Sequence, residues 1–509
     1  MTNKKTVSEI YVDRDLSWMY FNHRILQEAI KKQVPLLDRL SFLGIYSNNL
    51  DEFFRVRMAT LNRIAECEDK SLRFEREHAQ HLIKQINKLN NQYSKEYEHA
   101  IHEVTCQLGE ENIYLLKEDE LNEYQQEYVR QFYRQKLSGF VSPIWLSSVK
   151  LLTNETDENI YLAVKMQAEA KKSFDYALIA LPVVECGRFV RLPDEENKSY
   201  WMYLDDVIRY CLPLIFSGLD YVFFKAYAFK FTKDAEMEID NDLRNGMLQK
   251  ISKGVKSRRK GDALRVIYDA EMPKDLLKRV MNKLNVGMYT DYMLMTAARN
   301  VVRDVNSVFT FIEKPYSPVH FKELLVSPNE MKQKFIRLIN EEIKNKQAGK
   351  LAYIRIKINH ITDVTMVKKL YEASANGISV DLLVRGNCSL MTGIPGVSDT
   401  IRINGIIDRY LEHSQIFVFA AGGENKTFIG SADWMPRNLD NRVEVITPVY
   451  DSRIKEDLWK VIDFGLRDNC QGSVVDGSGK NCLWTTDTEE SFRSQEELYK
   501  YYKSHITND

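Results

Sequence analysis

Apolar residues in the N-terminal part of the chain recur every three or four positions, the spacing of one face of an α-helix. Phe21, Ile25 and Ala29 mark such a face, and a second helix is predicted to begin at Pro35. Residues 76–107 continue the pattern as a long, charged helix. The pattern therefore predicts a helical N-terminal region.

A polar stretch, Ser47-Asn48-Asn49, interrupts the second of these helices. Serine and asparagine are preferred at helix N-caps, where their side chains accept hydrogen bonds from free backbone N–H groups. We expect Ser47 or Asn48 to cap a further helix that begins near Leu50. Helix capping alone would account for both asparagines.

The pattern becomes mixed from residue 108 to residue 285. Short runs rich in branched and aromatic residues predict strands, and periodic stretches between them predict helices. The strand-like runs are residues 161–166, 176–181, 189–192 and 222–227. The predicted helices include residues 204–216 and 238–252.

The C-terminal part of the chain, from residue 317, has α/β character. Residues 353–359 and 380–386 predict strands, and the periodic segment between them predicts a helix that ends at Gly377. A strand–helix–strand order implies a parallel pair, and ligands of such sheets bind at the carboxyl ends of the strands. Asn359 and Arg385 stand at those two ends.

A further strand is predicted at residues 416–419, with a hairpin partner at residues 427–429. His413 precedes this strand, so we expect it to lie at the same edge as Asn359 and Arg385. A histidine at a strand end usually has a structural role. Here the neighbouring serine, asparagine and two arginines favour a site that binds a phosphate and moves its proton.

Composition places the chain among ordinary globular proteins and predicts three or four domains for 509 residues. Hydrophobic residues make up 44%, charged residues 28%, and the net charge is −1. No global field would therefore attract nucleic acid or a membrane, so an anion site must be a local cluster. The N-terminus has no signal-like apolar segment and no apolar run is long enough to span a membrane, which predicts a cytoplasmic protein.

The cysteines and histidines give no metal-binding pattern. Seven cysteines are scattered without a CxxC pair, which favours a reducing compartment and disfavours structural zinc. His78, His81, His99 and His102 lie on separated, solvated stretches, so we expect no metal there. The basic run at residues 253–260 is interpreted as a solvated helix end rather than a polyanion contact, because no aromatic residues interleave it.

Five segments carry a resemblance to a known family, and no nucleotide-binding glycine motif accompanies them. They are residues 16–22, residues 44–54 (GIYSNNLDEFF), residues 383–386 (LVRG), residues 408–413 (DRYLEH) and residues 431–438 (SADWMPRN). In these segments the chain resembles the polyphosphate kinases built on a phospholipase D-like fold, and the resemblance covers essentially its whole length.

The resemblance implies an α+β multidomain protein. It divides the chain into an N-terminal helical domain (1–107) and a mixed α/β middle domain (108–286). A remnant of a first phospholipase D-like domain (287–316) and a complete second one (317–509) follow. Residues 470–509 are expected to contribute a final helix near residues 489–504, with no function of their own.

The family's reaction is the reversible transfer of the terminal phosphate of ATP to inorganic polyphosphate through a phosphohistidine. By motif, Asn49 corresponds to an adenine contact and Tyr289 to an aromatic residue that stacks on adenine. Arg385 corresponds to a phosphate clamp, and His413 to the second active-site histidine, which contacts the phosphates and assists proton transfer. ATP or ADP and polyphosphate are the implied ligands, with Mg²⁺, in a homodimer or homotetramer.

The departure from the family is the near-complete loss of its first phospholipase D-like domain. That domain carries the phosphorylated histidine in a His-x-Lys element and two arginines that help hold Mg²⁺. Of the nine histidines here, His320 stands in a His-x-Lys sequence (His320-Phe321-Lys322), but it lies outside the five matching segments and after the remnant of the first domain (287–316). The sequence therefore predicts no counterpart of the family's phosphorylated histidine or of its metal-holding arginines. Gln415 also replaces a residue that is usually basic in the family.

Three alternatives follow from this departure. In the first, the chain retains the reaction with His413 as nucleophile, paired with the His413 of a second subunit in a dimer. In the second, it is a catalytically inert homologue that binds nucleotide or polyphosphate, or that pairs with a full-length enzyme. Loss of a covalent nucleophile removes much transition-state stabilisation, which favours the second. A deletion that exposes apolar surface and leaves an unstable product is the third.

Overall fold

A computed structural model of the protein describes residues 10–67, 72–150, 152, 159–169, 173–195, 197–233, 263–284, 286–295, 325–328, 330–486 and 490–506. The chain divides into two compact units. One combines residues 1–28 with residues 302–509, and the other contains residues 29–301.

The predicted N-terminal helices are confirmed. They are α1 (Arg14–Ile30), α2 (Leu36–Phe53), α3 (Ala59–Glu66) and α4 (Arg73–Glu110), with a π-helical turn at Phe54–Met58 between α2 and α3. Helix α1 spans the division between the two units. The helical periodicity of apolar residues therefore predicted the secondary structure of this region correctly.

The predicted helix start near Leu50 is wrong, because α2 continues without interruption from Leu36 to Phe53. Tyr46, Leu50 and Phe53 are all buried on one face of this helix. Burial of that continuous stripe outweighs the weak preference of serine and asparagine for caps. Helix α2 therefore contains Ser47, Asn48 and Asn49 within its length, and neither Ser47 nor Asn48 is an N-cap.

The unit at residues 29–301 also contains two sheets. Its strands are β1 (Ile113–Leu116), β2 (Ile144–Trp145), β3 (Tyr161–Ala168), β4 (Asp175–Ala180), β5 (Phe189–Arg191), β6 (Ser199–Tyr203), β7 (Tyr221–Lys233), β8 (Ala263–Asp269) and β9 (Val286–Met295). Among described residues they form a six-stranded sheet of order β2-β4-β3-β7-β8-β9 and a three-stranded sheet of order β1-β6-β5.

The helices of this unit are α5 (Glu123–Phe132), α6 (Val183–Cys186), α7 (Leu204–Tyr210), α8 (Leu212–Ile215) and α9 (Lys274–Lys283). The four strand predictions are confirmed, and the predicted helix 204–216 is divided into α7 and α8. The predicted helix 238–252 and the basic run 253–260 lie outside the described residues.

The other unit is built on an eight-stranded sheet, counted over described residues, of order β10-β16-β15-β14-β11-β12-β13-β17. The strands are β10 (Leu325–Ser327), β11 (Tyr353–Ile358), β12 (Ser379–Val384), β13 (Ile401–Ile406), β14 (Gln415–Phe419), β15 (Lys426–Gly430), β16 (Glu444–Val449) and β17 (Gly472–Val474). The helices are α10 (Met331–Gln347), α11 (Val364–Ala375), α12 (Ser452–Arg467) and α13 (Ser494–Ile506).

Both faces of this sheet are covered. Phe417 and Phe419 of β14 pack into a core shared with α10 and α11, whereas Ile416 and Val418 pack into a second core shared with α12. Burial on both faces explains why β14 is apolar at successive positions rather than alternating. The sheet is therefore a rigid platform for the residues at its edge.

Two general features follow from the same structure. None of the helices within the described ranges combines the length and apolar character needed to cross a bilayer. The seven cysteines, all at described positions, are free of disulfides.

Candidate functional site

The site is positioned by three strand ends. Strands β11 and β12 are parallel with Ile358 opposite Val384, so Asn359 and Arg385 follow at the same edge. Strand β14 runs antiparallel to β11, with Ile416 opposite Lys357. The residues that precede β14, His413 among them, therefore lie at that edge too. The expected meeting of Asn359, Arg385 and His413 is confirmed.

The ring of His413 is exposed, with two carboxamides on its Nδ1 side. The Asn359 Nδ2 atom and the Gln415 amide each lie 3.4 Å from Nδ1. The partners of Gln415 assign the orientation of its amide. Its nitrogen donates to the carbonyls of Gly430 (2.8 Å) and His413 (3.0 Å), and its oxygen accepts from Asn359 Nδ2 at 2.8 Å.

Two groups of opposite polarity face Nδ1 of His413. The Gln415 oxygen favours a proton on that nitrogen, whereas the Asn359 Nδ2 donor favours a lone pair, and both lie at 3.4 Å. The buried Gln415 amide also bonds the backbone carbonyl of His413. The two amides therefore hold the position of the histidine and leave its Nε2 side uncovered by either of them.

Arg385 supplies a guanidinium that is not neutralised. It lines a small cleft with Lys357, Asn359, Glu412 and Ser414. Its side chain makes no ion pair with any described residue, and its buried Nε has no hydrogen-bond partner among them. Burial lowers the pKa of Arg385, although nearby Asp433 and Glu412 oppose that shift. An unpaired guanidinium in a cleft is suited to a bidentate grip on phosphate.

The backbone behind Arg385 is held by Arg24 of α1. The buried Arg24 guanidinium donates from one nitrogen to the carbonyls of Arg385 (2.7 Å) and Gly386 (3.1 Å). Burial lowers the pKa of Arg24 to about 10, which leaves it charged at neutral pH. Helix α1 thus holds the backbone of Arg385 and Gly386 in place. No sequence motif indicated this contact.

A buried ion pair lies beside Arg385 in the cleft. The Lys357 ammonium donates a short hydrogen bond to Glu412, and Lys357 is only 8% exposed. Burial raises the pKa of Glu412, but the charge and hydrogen bond of Lys357 outweigh it and the net shift is downward. Lys357 therefore belongs to the site as one partner of a buried ion pair, a role that the strand prediction for residues 353–359 did not include.

His360 is a second histidine in this group, and the sequence analysis missed it. Its Nδ1 accepts a hydrogen bond of 2.9 Å from the backbone N–H of Asn387, which places the proton of the neutral ring on Nε2. Burial, together with the charges of Arg385 and Arg437, lowers the pKa of His360 to about 4 against the opposing charge of Asp433. His360 is therefore a neutral hydrogen-bond donor at neutral pH.

The polar turn after β15 divides into two roles. Ser431 and Asn438 donate to Glu444 at 2.5 and 2.7 Å, so they brace β16 rather than His413. Arg437 has no ion pair within the described residues, and its pKa is lowered by desolvation and by the charge of neighbouring Arg442. The turn therefore adds a guanidinium whose charge is partly balanced by the nearby acids Asp433 and Glu444.

Asp433 ties this turn to the end of β11. Its carboxylate accepts from the backbone N–H groups of Asn359 (3.0 Å) and His360 (3.2 Å). Its negative charge also opposes the lowering of the pKa of His360, Arg385 and Arg437, so it partly balances the charge of the two arginines. The buried acid is therefore a structural and electrostatic support of the cationic edge.

The other two predicted ligand contacts lie in the unit at residues 29–301. Asn49 is half-buried within α2, and Tyr289 falls within β9, parallel to β8. His78, His81, His99 and His102 lie along α4. Within the ranges that the structure describes, no group of three or more histidine, cysteine or acidic residues could hold a metal ion. Those residues do not fit a protein-held Mg²⁺.

The fold and site define a multidomain α+β protein with a cationic, histidine-bearing cleft at the edge of a sheet. Three family models match it: "Polyphosphate kinase N-terminal domain" at residues 11–116, "Polyphosphate kinase middle domain" at residues 124–301 and "Polyphosphate kinase C-terminal domain 2" at residues 324–495. The chain belongs to the polyphosphate kinase family.

Individual relatives match over nearly the whole chain. Polyphosphate kinases of Vibrio cholerae and Escherichia coli (strain K12) are each 27% identical over 684 positions, covering 98% and 97% of this chain and 97% and 99% of theirs. The crystal structure of polyphosphate kinase from Porphyromonas gingivalis is 21% identical with a TM-score of 0.78, covering 98% of this chain and all of that one. This likeness shows a shared fold.

The alignments also reveal a difference in length. The 684 aligned positions exceed the 509 residues of this chain, so at least 175 positions of each relative have no counterpart here. The matched C-terminal model is described as the second such domain. The unmatched positions together equal the length of a typical domain.

Proposed function

We propose that the His413 cleft binds the phosphate groups of ATP and polyphosphate and that His413 exchanges a phosphoryl group between them. The observation that carries this proposal is the meeting, at one sheet edge, of the exposed ring of His413 with the Arg385 guanidinium, whose buried Nε has no hydrogen-bond partner among the described residues. Phosphoryl transfer depends mainly on such positioning and on positive charge around the phosphate oxygens.

In the forward step, the Nε2 lone pair of His413 attacks the γ-phosphorus of ATP. An N–P bond forms, the bond to the β–γ bridging oxygen breaks, and ADP leaves with that oxygen. A terminal oxygen of polyphosphate then attacks the phosphorus and releases the histidine. Arg385 would hold the transferred group, while the neutral His360 would donate a hydrogen bond from Nε2.

Family membership supports two further assignments in the other unit. Asn49 would contact the adenine of ATP, and Tyr289 would stack on it, as the resemblance of their motifs implies. Mg²⁺ would enter with the nucleotide, since the described residues offer no ligand cluster for it. The C-terminal unit would be phospholipase D-like, and the protein would act in the cytoplasm as a homodimer or homotetramer.

The second candidate is a binding protein without turnover. The absence of at least 175 positions that its relatives possess favours this candidate, because the family's phosphorylated histidine is expected among them. Arg385, Lys357 and Arg437 would still bind a phosphate chain in that case. The two candidates therefore share a ligand and differ in chemistry.

The two candidates are separated by trapping the covalent intermediate. The protein is incubated with ATP labelled at the γ-phosphate and Mg²⁺, and acid-labile, base-stable label on the protein is measured. We expect stoichiometric labelling that His413→Gln abolishes and His99→Gln, on the solvated face of α4, leaves intact. Unlabelled protein that still binds tripolyphosphate would establish the binding-only alternative.

A further inference from the structure

The segment just before and at the start of α13 contacts the loop that carries His413. Residues 408–412 of this loop link β13 to the histidine, and the side chains of Tyr410 and Leu411 are 65% and 80% exposed. Two exposed large side chains in succession cannot anchor the loop through apolar burial. Its position must therefore depend on polar contacts.

Gln495 supplies three of these contacts. Its Oε1 accepts from the backbone N–H of Tyr410 at 3.0 Å, and its Nε2 donates to the carbonyl of the same residue at 2.8 Å. The same nitrogen donates to Oε1 of Glu412 at 2.9 Å. The Gln495 carboxamide thus bonds both backbone groups of Tyr410 and the side chain of Glu412, the residue before His413.

Arg493 holds the beginning of the loop. Its guanidinium makes a bidentate pair with Asp408, with Nε donating to Oδ2 at 2.9 Å. Asp408 also accepts from the backbone N–H of Arg409 at 2.7 Å. The loop is therefore fixed at both ends by two residues that stand two positions apart in the sequence.

The contact with Glu412 extends into the cleft. The other carboxylate oxygen of Glu412 bonds Lys357, and Lys357 lies beside Arg385 and Asn359. A continuous chain of hydrogen bonds therefore leads from Gln495 through Glu412 to a cation of the site. Movement of Gln495 would displace both this cation and the backbone that carries His413.

We propose that Gln495 is a positioning residue for the site and that, with Arg493, it holds the His413 loop in the orientation needed for phosphoryl transfer. The part that concerns turnover rests on the proposed function. The part that concerns the orientation of His413 and the placement of Lys357 does not, and it is measurable without catalysis.

The test compares Gln495→Met with Tyr499→Ala in the full chain. Methionine has nearly the shape of glutamine and makes none of the three hydrogen bonds, while Tyr499 lies on the same helix and is 66% exposed. Arg493→Lys keeps the charge and removes the bidentate geometry. Thermal unfolding of each variant establishes that the proteins compared are folded.

The first readout is ATP formation from ADP and polyphosphate. We expect Gln495→Met to lower kcat about tenfold or more, which is the scale of two or three lost hydrogen bonds, while KM for ADP changes less than threefold. Arg493→Lys should show a smaller change in the same direction. A kcat for Gln495→Met within twofold of that for Tyr499→Ala would overturn the proposal.

The second readout needs no turnover. The ring nitrogens of His413 are observed by ¹⁵N NMR, and tripolyphosphate affinity is titrated. We expect Gln495→Met to shift the ¹⁵N signals of the His413 ring, because the ring changes its position relative to Asn359 and Gln415, and to weaken tripolyphosphate binding about fivefold. A parent protein without kinase activity would refute the proposed transfer but not the positioning role. The positioning role is refuted if the His413 NMR signals and the tripolyphosphate affinity of Gln495→Met equal those of the parent.

Discussion

His360 shows how a backbone contact can decide the chemistry of a side chain. The N–H of Asn387 occupies Nδ1, while burial and neighbouring arginines lower the pKa of the ring to about 4. A fixed neutral tautomer is a hydrogen-bond donor that does not release its proton at neutral pH.

The lowered pKa of His360 predicts a pH dependence of stability. The folded pKa lies below the ordinary value of 6.5, so the stabilisation is complete above pH 6.5 and is lost as pH falls toward 4. We expect parent and His360→Asn, compared by urea unfolding at pH 7 and pH 5, to converge by about 2 kcal/mol at the lower pH. Asparagine retains an acceptor for Asn387. A His360 NMR titration midpoint near 6.5 would contradict this account.

Arg385 is predicted to act through its fork geometry as well as its charge. Arg385→Lys keeps the charge and loses the bidentate contact, so we expect tripolyphosphate affinity to fall about tenfold in isothermal titration. Arg453→Lys is the matched control, because the Arg453 side chain is 90% exposed and pairs only locally with Asp451. Equal affinities for the two variants would show that Arg385 is no clamp.

At the residue scale, sequence reasoning recovered the groups whose positions follow from strand ends. Asn359, Arg385 and His413 were placed correctly because parallel strands share one carboxyl edge. His360 was missed because its tautomer and pKa depend on folded neighbours. The contact of Arg24 with the clamp was missed for the same reason, since it joins residues 361 positions apart.

The elements differ in how well a pattern predicts them. The long α4 followed from helical periodicity, and strands β11, β12 and β14 followed from their runs of branched and aromatic residues. Ser47-Asn48-Asn49 misled because polar residues also occupy the outer face of a helix. The final helix was expected near residues 489–504 and begins at Ser494. Its connection to the His413 loop had no local signal.

The correction at α2 is itself testable. A cap at Ser47 would make Ser47→Ala destabilising by about 1 kcal/mol. Inside a helix, the same change is expected to be neutral or to stabilise by a few tenths of a kcal/mol, because alanine has the higher propensity. Urea unfolding monitored by circular dichroism distinguishes the two, with Asp451→Ala, which removes the N-cap of α12, as a comparison. A loss near 1 kcal/mol for Ser47→Ala would contradict the continuous helix.

At the scale of the whole molecule, the chain keeps its family's fold at a shorter length. Relatives align across nearly all of it, yet at least 175 of their positions have no counterpart here. The C-terminal sheet has both faces buried and carries the cationic edge. The loss of most of a first phospholipase D-like domain at the junction stays a prediction, and the distances within the site required the fold.

The proposed reaction requires that the cleft beside His413 alone supply the groups needed for phosphoryl transfer. The net charge of −1 gives no long-range attraction, so activity must come from the local cations and His413. A covalent nucleophile and its electrostatic partners normally supply much of an enzyme's rate. Arg385, Lys357 and His360 are the groups available here to replace what the missing positions supply.

The most direct measurement is ATP formation from ADP and polyphosphate, with Mg²⁺, for the purified chain, His413→Ala and His99→Ala. The account predicts turnover by the parent and by His99→Ala, and its loss in folded His413→Ala. No turnover by folded parent protein, or equal turnover by His413→Ala, would contradict the claim that His413 carries the phosphoryl group.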